Sequence, residues 1–152
     1  MPQTSFVTTI LLIRHGERNA LTPTNPDPHL STAGRVRAKQ LIHVVGESGI
    51  TAIYRSHFIR AKETAQPLAT HLGLSTTEMD APLQIKSDIL LNHAGETVLV
   101  IGHSNTVPEL INQLGAGSVP VIADSQFDNL FVVKKCSSGE ASVTRLKYGN
   151  QS

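Results

Sequence analysis

Two apolar runs that end alike restrict the fold of this chain more than any other feature. Residues 7–13, Val-Thr-Thr-Ile-Leu-Leu-Ile, lead into Arg14-His15-Gly16, and residues 97–101, Thr-Val-Leu-Val-Ile, lead into Gly102-His103-Ser104. A strand whose apolar residues do not alternate with polar ones buries both faces, as strands of a helix-covered parallel sheet do. Open α/β sheets build ligand sites at the carboxyl ends of such strands. A third island, Ser56-His57-Phe58-Ile59-Arg60-Ala61-Lys62-Glu63-Thr64-Ala65, follows a shorter strand pattern at 51–55.

Between these islands the pattern alternates strand and helix. Ser31 or Thr32 can cap a helix that runs to about residue 48, with Ala38, Leu41, Ile42 and Val45 at helical spacing and Gly49 closing it. A second helix is expected over 58–72, with Ala61, Ala65, Leu68 and Leu72 facing inward and Gly73 as its cap. Pro67 falls inside it and predicts a kink or an early break. A third strand is expected at 75–79, a helix at 83–93, and a helix from about 105 with Pro108 in its first turn. Strands at 127–134 and 141–147 flank a turn at Ser137-Ser138-Gly139. This order predicts an α/β fold: a three-layer αβα sandwich around a mainly parallel sheet of about five or six strands, with an antiparallel edge strand. Residues 1–152 read as a single domain.

Charge narrows the partners. The net charge is +1 and no Lys/Arg block exceeds two neighbours, which argues against a nucleic-acid groove. Cys136 is the only cysteine, so no intrachain disulfide can form. No apolar run reaches membrane-spanning length, so no membrane partner is expected. Residues 6–13 are apolar, but no Lys or Arg precedes them, so they read as a first strand rather than a signal core. A cytoplasmic location is the expectation, with a trimmed exported form as the alternative.

Two imidazoles and two guanidinium groups near strand ends suit phosphoryl transfer. Guanidinium groups offer planar paired donors for phosphoryl oxygens, and Arg14, Arg60 and Arg18 could supply them. A helix starting just after His103 would add backbone N–H groups. A neutral imidazole can attack phosphorus, and water can then hydrolyse the phosphoimidazole. No His/Asp/Glu spacing matches a zinc motif, so neither a metal nor a cofactor is expected.

These islands resemble the histidine phosphatase superfamily, the phosphoglycerate-mutase-like group. Its Arg-His-Gly stands here as Arg14-His15-Gly16, and its Leu-Ser/Thr-x-x-Gly as Leu30-Ser31-Thr32-Ala33-Gly34. Its Ser-x-x-x-Arg-Ala-x-x-Thr-Ala stands as Ser56 through Ala65, and its late Gly-His as Gly102-His103. The elements occur in the family's order across nearly the whole chain. The resemblance implies that His15 is the nucleophile and that Arg14, Arg60 and His103 complete a phosphate pocket. It further implies that Arg18 faces the phosphate, that Glu17 holds the pocket's cations and that Ser104 touches substrate.

The chain departs from the family in its general acid. Some members carry an Asp directly after the second histidine, where this chain has Ser104. Others carry a Glu after the second helix, and Glu78 and Asp80 are the candidates for that role. The chain is shorter than the mutases and looks most like the small phosphohistidine-phosphatase type. The resulting expectation is a metal-independent phosphatase acting on a phosphorylated small molecule or a phosphohistidine protein. The alternatives are a phosphosugar or phosphoglycerate mutase and a non-catalytic phosphate- or phosphopeptide-binding module.

Other polar residues have plainer readings. His29, His43, His71 and His93 read as surface groups, and His57 as a surface group or a rim contact of the site. Arg35, Arg37 and Lys39 read as an exposed basic edge of the first helix. Asp128 reads as an ordinary carboxylate at a strand start.

Overall fold

The computed structural model describes residues 4–152. The elements are β1 (Val7–Arg14), α1 (Thr32–Val45), β2 (Ile50–Arg55), α2 (Ile59–Leu72), β3 (Thr76–Glu78), α3 (Pro82–Asn92), β4 (Thr97–Gly102), α4 (Thr106–Gln113), β5 (Asn129–Cys136) and β6 (Ala141–Lys147). They form one six-stranded sheet in the order β3-β2-β4-β1-β5-β6. The first four strands run parallel, and antiparallel pairing is confined to one end of the sheet. There β5 runs against both β1 and β6, so the reversed strand lies one in from the edge.

Two apolar layers explain the uninterrupted runs. Ile10 and Leu12 of β1 face one layer, with Ile85 and Ile89 of α3 and Leu110 and Ile111 of α4. Leu11 and Ile13 face the other, with Leu41 of α1 and Ala61, Ala65 and Leu68 of α2. Alternate residues of each central strand therefore enter opposite cores, and none can be polar without a partner.

Three boundaries differ from the sequence expectation. α2 continues through Pro67 to Leu72. The proline forfeits one helical hydrogen bond, but a break there would release Leu68 and Ala69, which are fully buried beyond it. α1 stops at Val45, where Ser48 folds back and donates to the Val45 carbonyl from both its amide and its hydroxyl. β5 begins at Asn129, because the Phe127 amide donates instead to the Ser152 hydroxyl. Gly73 is left-handed (φ 69°) and caps α2, as expected.

The Leu30–Gly34 pattern has a concrete use. Ser31 caps α1 through the Gly34 amide, and its own amide and hydroxyl both donate to the Glu17 carbonyl. The first turn of α1 thus sits directly on the turn that follows β1. A Cβ at Gly34 would lie 2.0 Å from the Glu17 carbonyl oxygen, and one at Gly16 would lie 3.0 Å from the Gly34 oxygen. Two bare backbones meet there, and neither can yield without moving the turn that carries His15.

Two stability predictions follow from this packing. Leu68→Ala should lower unfolding free energy in denaturant titrations by about 2–5 kcal/mol, the range for deleting a fully buried leucine side chain. Gly34→Ala, which would favour an ordinary helix, should instead destabilise by about 1–3 kcal/mol through overpacking, seen as a lower thermal midpoint.

Candidate active site

The site grows from the register of two strands. β1 and β4 pair with Arg14 opposite Gly102, and the His15 amide donates to the Gly102 carbonyl at 3.0 Å. His15 and His103 therefore leave adjacent strands side by side, with ring centroids 5.3 Å apart in an edge contact. β2 pairs with β4 on its other side, which brings Ser56 and the start of α2 to the same end of the sheet. A cleft of about 480 Å³ opens there, lined by Arg14, His15, Arg18, Ser56, Arg60 and His103 among others.

His15 is 2% exposed. Its Nδ1 lies 2.7 Å from the Gly16 carbonyl, which can only accept, so Nδ1 carries the proton and Nε2 keeps its lone pair. Arg60 Nε donates to that Nε2 at 3.3 Å. Thr64, one turn into α2, accepts from the Gly16 amide at 2.9 Å and donates to the Arg60 carbonyl at 2.7 Å. One hydroxyl thus ties the nucleophile's turn to the helix that carries Arg60. His103 Nε2 shares a hydrogen bond with the Ser56 hydroxyl at 2.8 Å.

Each arginine is held against an aromatic ring. The Arg60 guanidinium lies 4.2 Å above the Phe58 ring, and the Arg14 guanidinium lies 4.2 Å above the Phe127 ring. Arg14 also donates to the carbonyls of Ala123, Asp124 and Gln126. Arg60 sits 3.7 Å from Asp27, whose carboxylate also accepts from the Ile59 amide at the start of α2. Arg14 Nε and one terminal nitrogen of Arg60 are buried with no hydrogen-bond partner among the described residues. Buried donors without a hydrogen bond are costly, and for the Arg60 nitrogen the nearest anion is Asp27, at 3.7 Å.

Burial sets the protonation states. Desolvation, reinforced by His103, Arg14 and Arg60 and opposed by the Gly16 carbonyl, lowers the His15 pKa to about 3. Burial and then the Arg60 and Arg14 charges lower His103 to about 4. Both rings are therefore neutral near pH 7. The Arg14 and Arg60 pKa values are also lowered, burial being the main cause, yet a guanidinium stays charged at any working pH.

The structure brings most of the expected residues together. Arg14, His15, Arg60, His103, Arg18, Ser104 and Asp80 all line the cleft. Glu17 and Glu78 do not. Glu17 turns toward α1, where both its oxygens take donors from Arg37 at 2.8 and 3.1 Å. It therefore holds a buried structural cation rather than the pocket's arginines. Glu78 is bound to Arg55 at 2.9 Å across the β2–β3 pair, which removes it from the position of an acid.

Arg37 also corrects its exposed reading: it is 1% exposed and donates to the carbonyls of Tyr148 and Asn150, anchoring the chain end. Asp128 is buried and tied to Lys147 and to the Ser152 amide. Phe58, Phe127 and Asp27 carry no spacing signal, and only the fold puts them at the site. Among the described residues, no group of three or more His, Cys, Asp or Glu side chains is placed to hold a metal ion.

Comparison with known proteins bears on the family and the fold. The model of the histidine phosphatase superfamily (branch 1) matches residues 10–84, from β1 into α3. No curated protein sequence matches the chain. Among solved structures, the chain is similar to a protein histidine phosphatase SixA complexed with tungstate, at 19% identity and a TM-score of 0.73, covering 91% of this chain and 96% of that one. It is also similar to a mycobacterial glucosyl-3-phosphoglycerate phosphatase with inorganic phosphate, at 14% identity and a TM-score of 0.70, covering 94% and 97%. A third, mycobacterial hydrolase 1, shares 13% identity at a TM-score of 0.68, covering 96% and 100%. At these identities the structural likeness speaks to the fold, while the sequence match carries the family. The chain belongs to the histidine phosphatase superfamily and is an enzyme of the histidine phosphatase type.

Proposed function

We propose that this protein is a metal-independent phosphatase that hydrolyses a phosphomonoester or a protein phosphohistidine through a phospho-His15 intermediate. The observation that carries the reading is the state of His15: Nδ1 pinned to the Gly16 carbonyl, Nε2 unprotonated, and Arg60 beside it. A phosphoryl oxygen entering the cleft would take over the Arg60 donor and free the Nε2 lone pair for attack. Arg14 and Arg60 would neutralise the charge that spreads over the phosphoryl oxygens in the transition state. His103, neutral and held by Ser56, would donate a further hydrogen bond. Arg18 and Ser104, which also line the cleft, would contact the substrate. Water would then attack the phosphoimidazole and return His15 to its starting form. The cleft opens to solvent, which suits a phosphorylated side chain of another protein as well as a small phosphate ester.

Trapping tests the intermediate. Rapid quenching after mixing with a labelled phosphodonor should leave acid-labile, alkali-stable phosphate on His15. His15→Ala should abolish the label and reduce turnover by about 10³-fold or more, whereas EDTA should leave turnover unchanged. Isomerised product without phosphate release would instead identify a mutase. Tight phosphate binding with no hydrolysis would identify a binding module.

The pH profile should carry the mark of buried neutral histidines. The required neutral form of His15 persists until pH falls toward about 3. Once the substrate's own ionisation is removed, kcat/KM should show no acid limb between pH 5 and 7 from either site histidine. Stability has the opposite dependence. The folded pKa values lie below the unfolded value near 6.5, so the unfolded chain binds protons first as pH falls. The thermal midpoint should therefore drop from about pH 6.5 down to about 4, and His15→Ala should flatten that slope.

A further inference from the structure

We propose that His57, oriented by Asp80, is the proton-transfer group of the reaction: it protonates the leaving group and then takes a proton from the attacking water. This rests on the phospho-His15 reading above and supplies the acid that the family motifs leave unassigned.

Asp80 lines the cleft, but its own geometry argues against a role as the acid. One oxygen, Oδ1, accepts both the His57 amide at 2.8 Å and His57 Nδ1 at 3.0 Å. Burial raises the Asp80 pKa, but the two hydrogen bonds from His57, with the charges of His57 and His103, together outweigh it and hold the carboxyl below the usual carboxylate range. A carboxylate so bound is an acceptor committed to His57. It serves as the orienting group of a carboxylate–imidazole pair, and proton transfer falls to the imidazole.

His57 is built for that task. Its backbone and its ring are clamped to the same Asp80 oxygen, which fixes the ring about its side-chain torsions. The ring also lies against Phe58, tilted by 31° with centroids 4.1 Å apart, and Phe58 in turn meets the His103 ring edge-on at 5.0 Å. With Nδ1–H given to Asp80, the working atom is Nε2, which has no hydrogen-bond partner among the described residues. Unlike His15 and His103, the His57 side chain is 53% exposed, so it can exchange protons with solvent. It lines the same cleft as both of them.

The steps balance. In the first, His15 Nε2 bonds to phosphorus, the bond from phosphorus to the leaving oxygen or nitrogen breaks, and that atom takes the proton of His57 Nε2. In the second, a water oxygen bonds to phosphorus and passes its proton to the now neutral His57 Nε2. The P–N bond to His15 breaks with its electron pair returning to His15 Nε2. His57 ends protonated, His15 neutral, and one water has been consumed.

The test varies the leaving group. His57→Gln and His57→Ala alter a half-exposed side chain, and circular dichroism would confirm that each variant folds. With an alkyl phosphate, whose alkoxide leaves poorly, both should lose about 10²-fold or more in kcat/KM. With p-nitrophenyl phosphate, whose leaving group needs little protonation, kcat/KM should fall by less than about 10-fold. On that substrate phosphoenzyme should accumulate, because the water-activating step is slowed. Asp80→Asn, a positioning change, should steepen the leaving-group dependence in the same direction by a smaller factor. An equal loss on both substrates, a change in KM alone, or no phosphoenzyme accumulation would overturn the role of His57. Absence of labelled His15 in the unmodified enzyme would instead overturn the phospho-His15 reading, so the two failures are distinct.

Discussion

The parallel register of β1 against β4 is the constraint on which the site depends. Arg14 stands opposite Gly102, and the ladder ends with the His15 amide on the Gly102 carbonyl. Because both strands are buried on both faces, a shift of one residue would exchange the two apolar layers wholesale. That cost reaches every pair from Thr9 to Arg14, so the relative positions of His15 and His103 are set by many core contacts. The histidines themselves contribute little to this; they are carried by the sheet.

Given that frame, the remaining problem is electrostatic. Two arginines and two imidazoles are crowded into a poorly solvated space, where like charges repel strongly. The structure meets this in three ways. Burial keeps both imidazoles neutral. Each guanidinium lies on the face of a phenylalanine ring. Arg14 is further held by three backbone carbonyls. Part of the donor capacity, at Arg14 Nε and one Arg60 terminal nitrogen, has no hydrogen-bond partner among the described residues. The adjoining Glu17–Arg37 pair has a different use, joining the β1 turn, α1 and the chain end around one buried ion pair.

The glycines and hydroxyls of the motifs have mechanical roles here. Gly16 and Gly34 let two backbones touch, Ser31 caps α1 onto the same turn, and Thr64 links that turn to α2. A motif that reads as conventional punctuation in the sequence is thus the joinery that keeps His15 and Arg60 in contact. The α2 helix illustrates a related point: local propensity predicted a kink or break at Pro67, and burial of Leu68 and Ala69 overrode it.

The linear sequence determined the element order, the two doubly buried strands, and the identities of His15, Arg14, Arg60 and His103. The elements are encoded in short-range patterns of apolar periodicity and capping residues, and the four site residues were legible through their resemblance to family motifs. What the tertiary structure alone decided was which carboxylate faces which cation. Glu17 and Arg37 are 20 positions apart, one expected to hold the pocket's cations and the other to be exposed; Glu78 and Asp80 are close in sequence yet point to Arg55 and to His57. Such pairings depend on where a side chain finds a partner once water is excluded, and residue spacing along the chain holds no record of that.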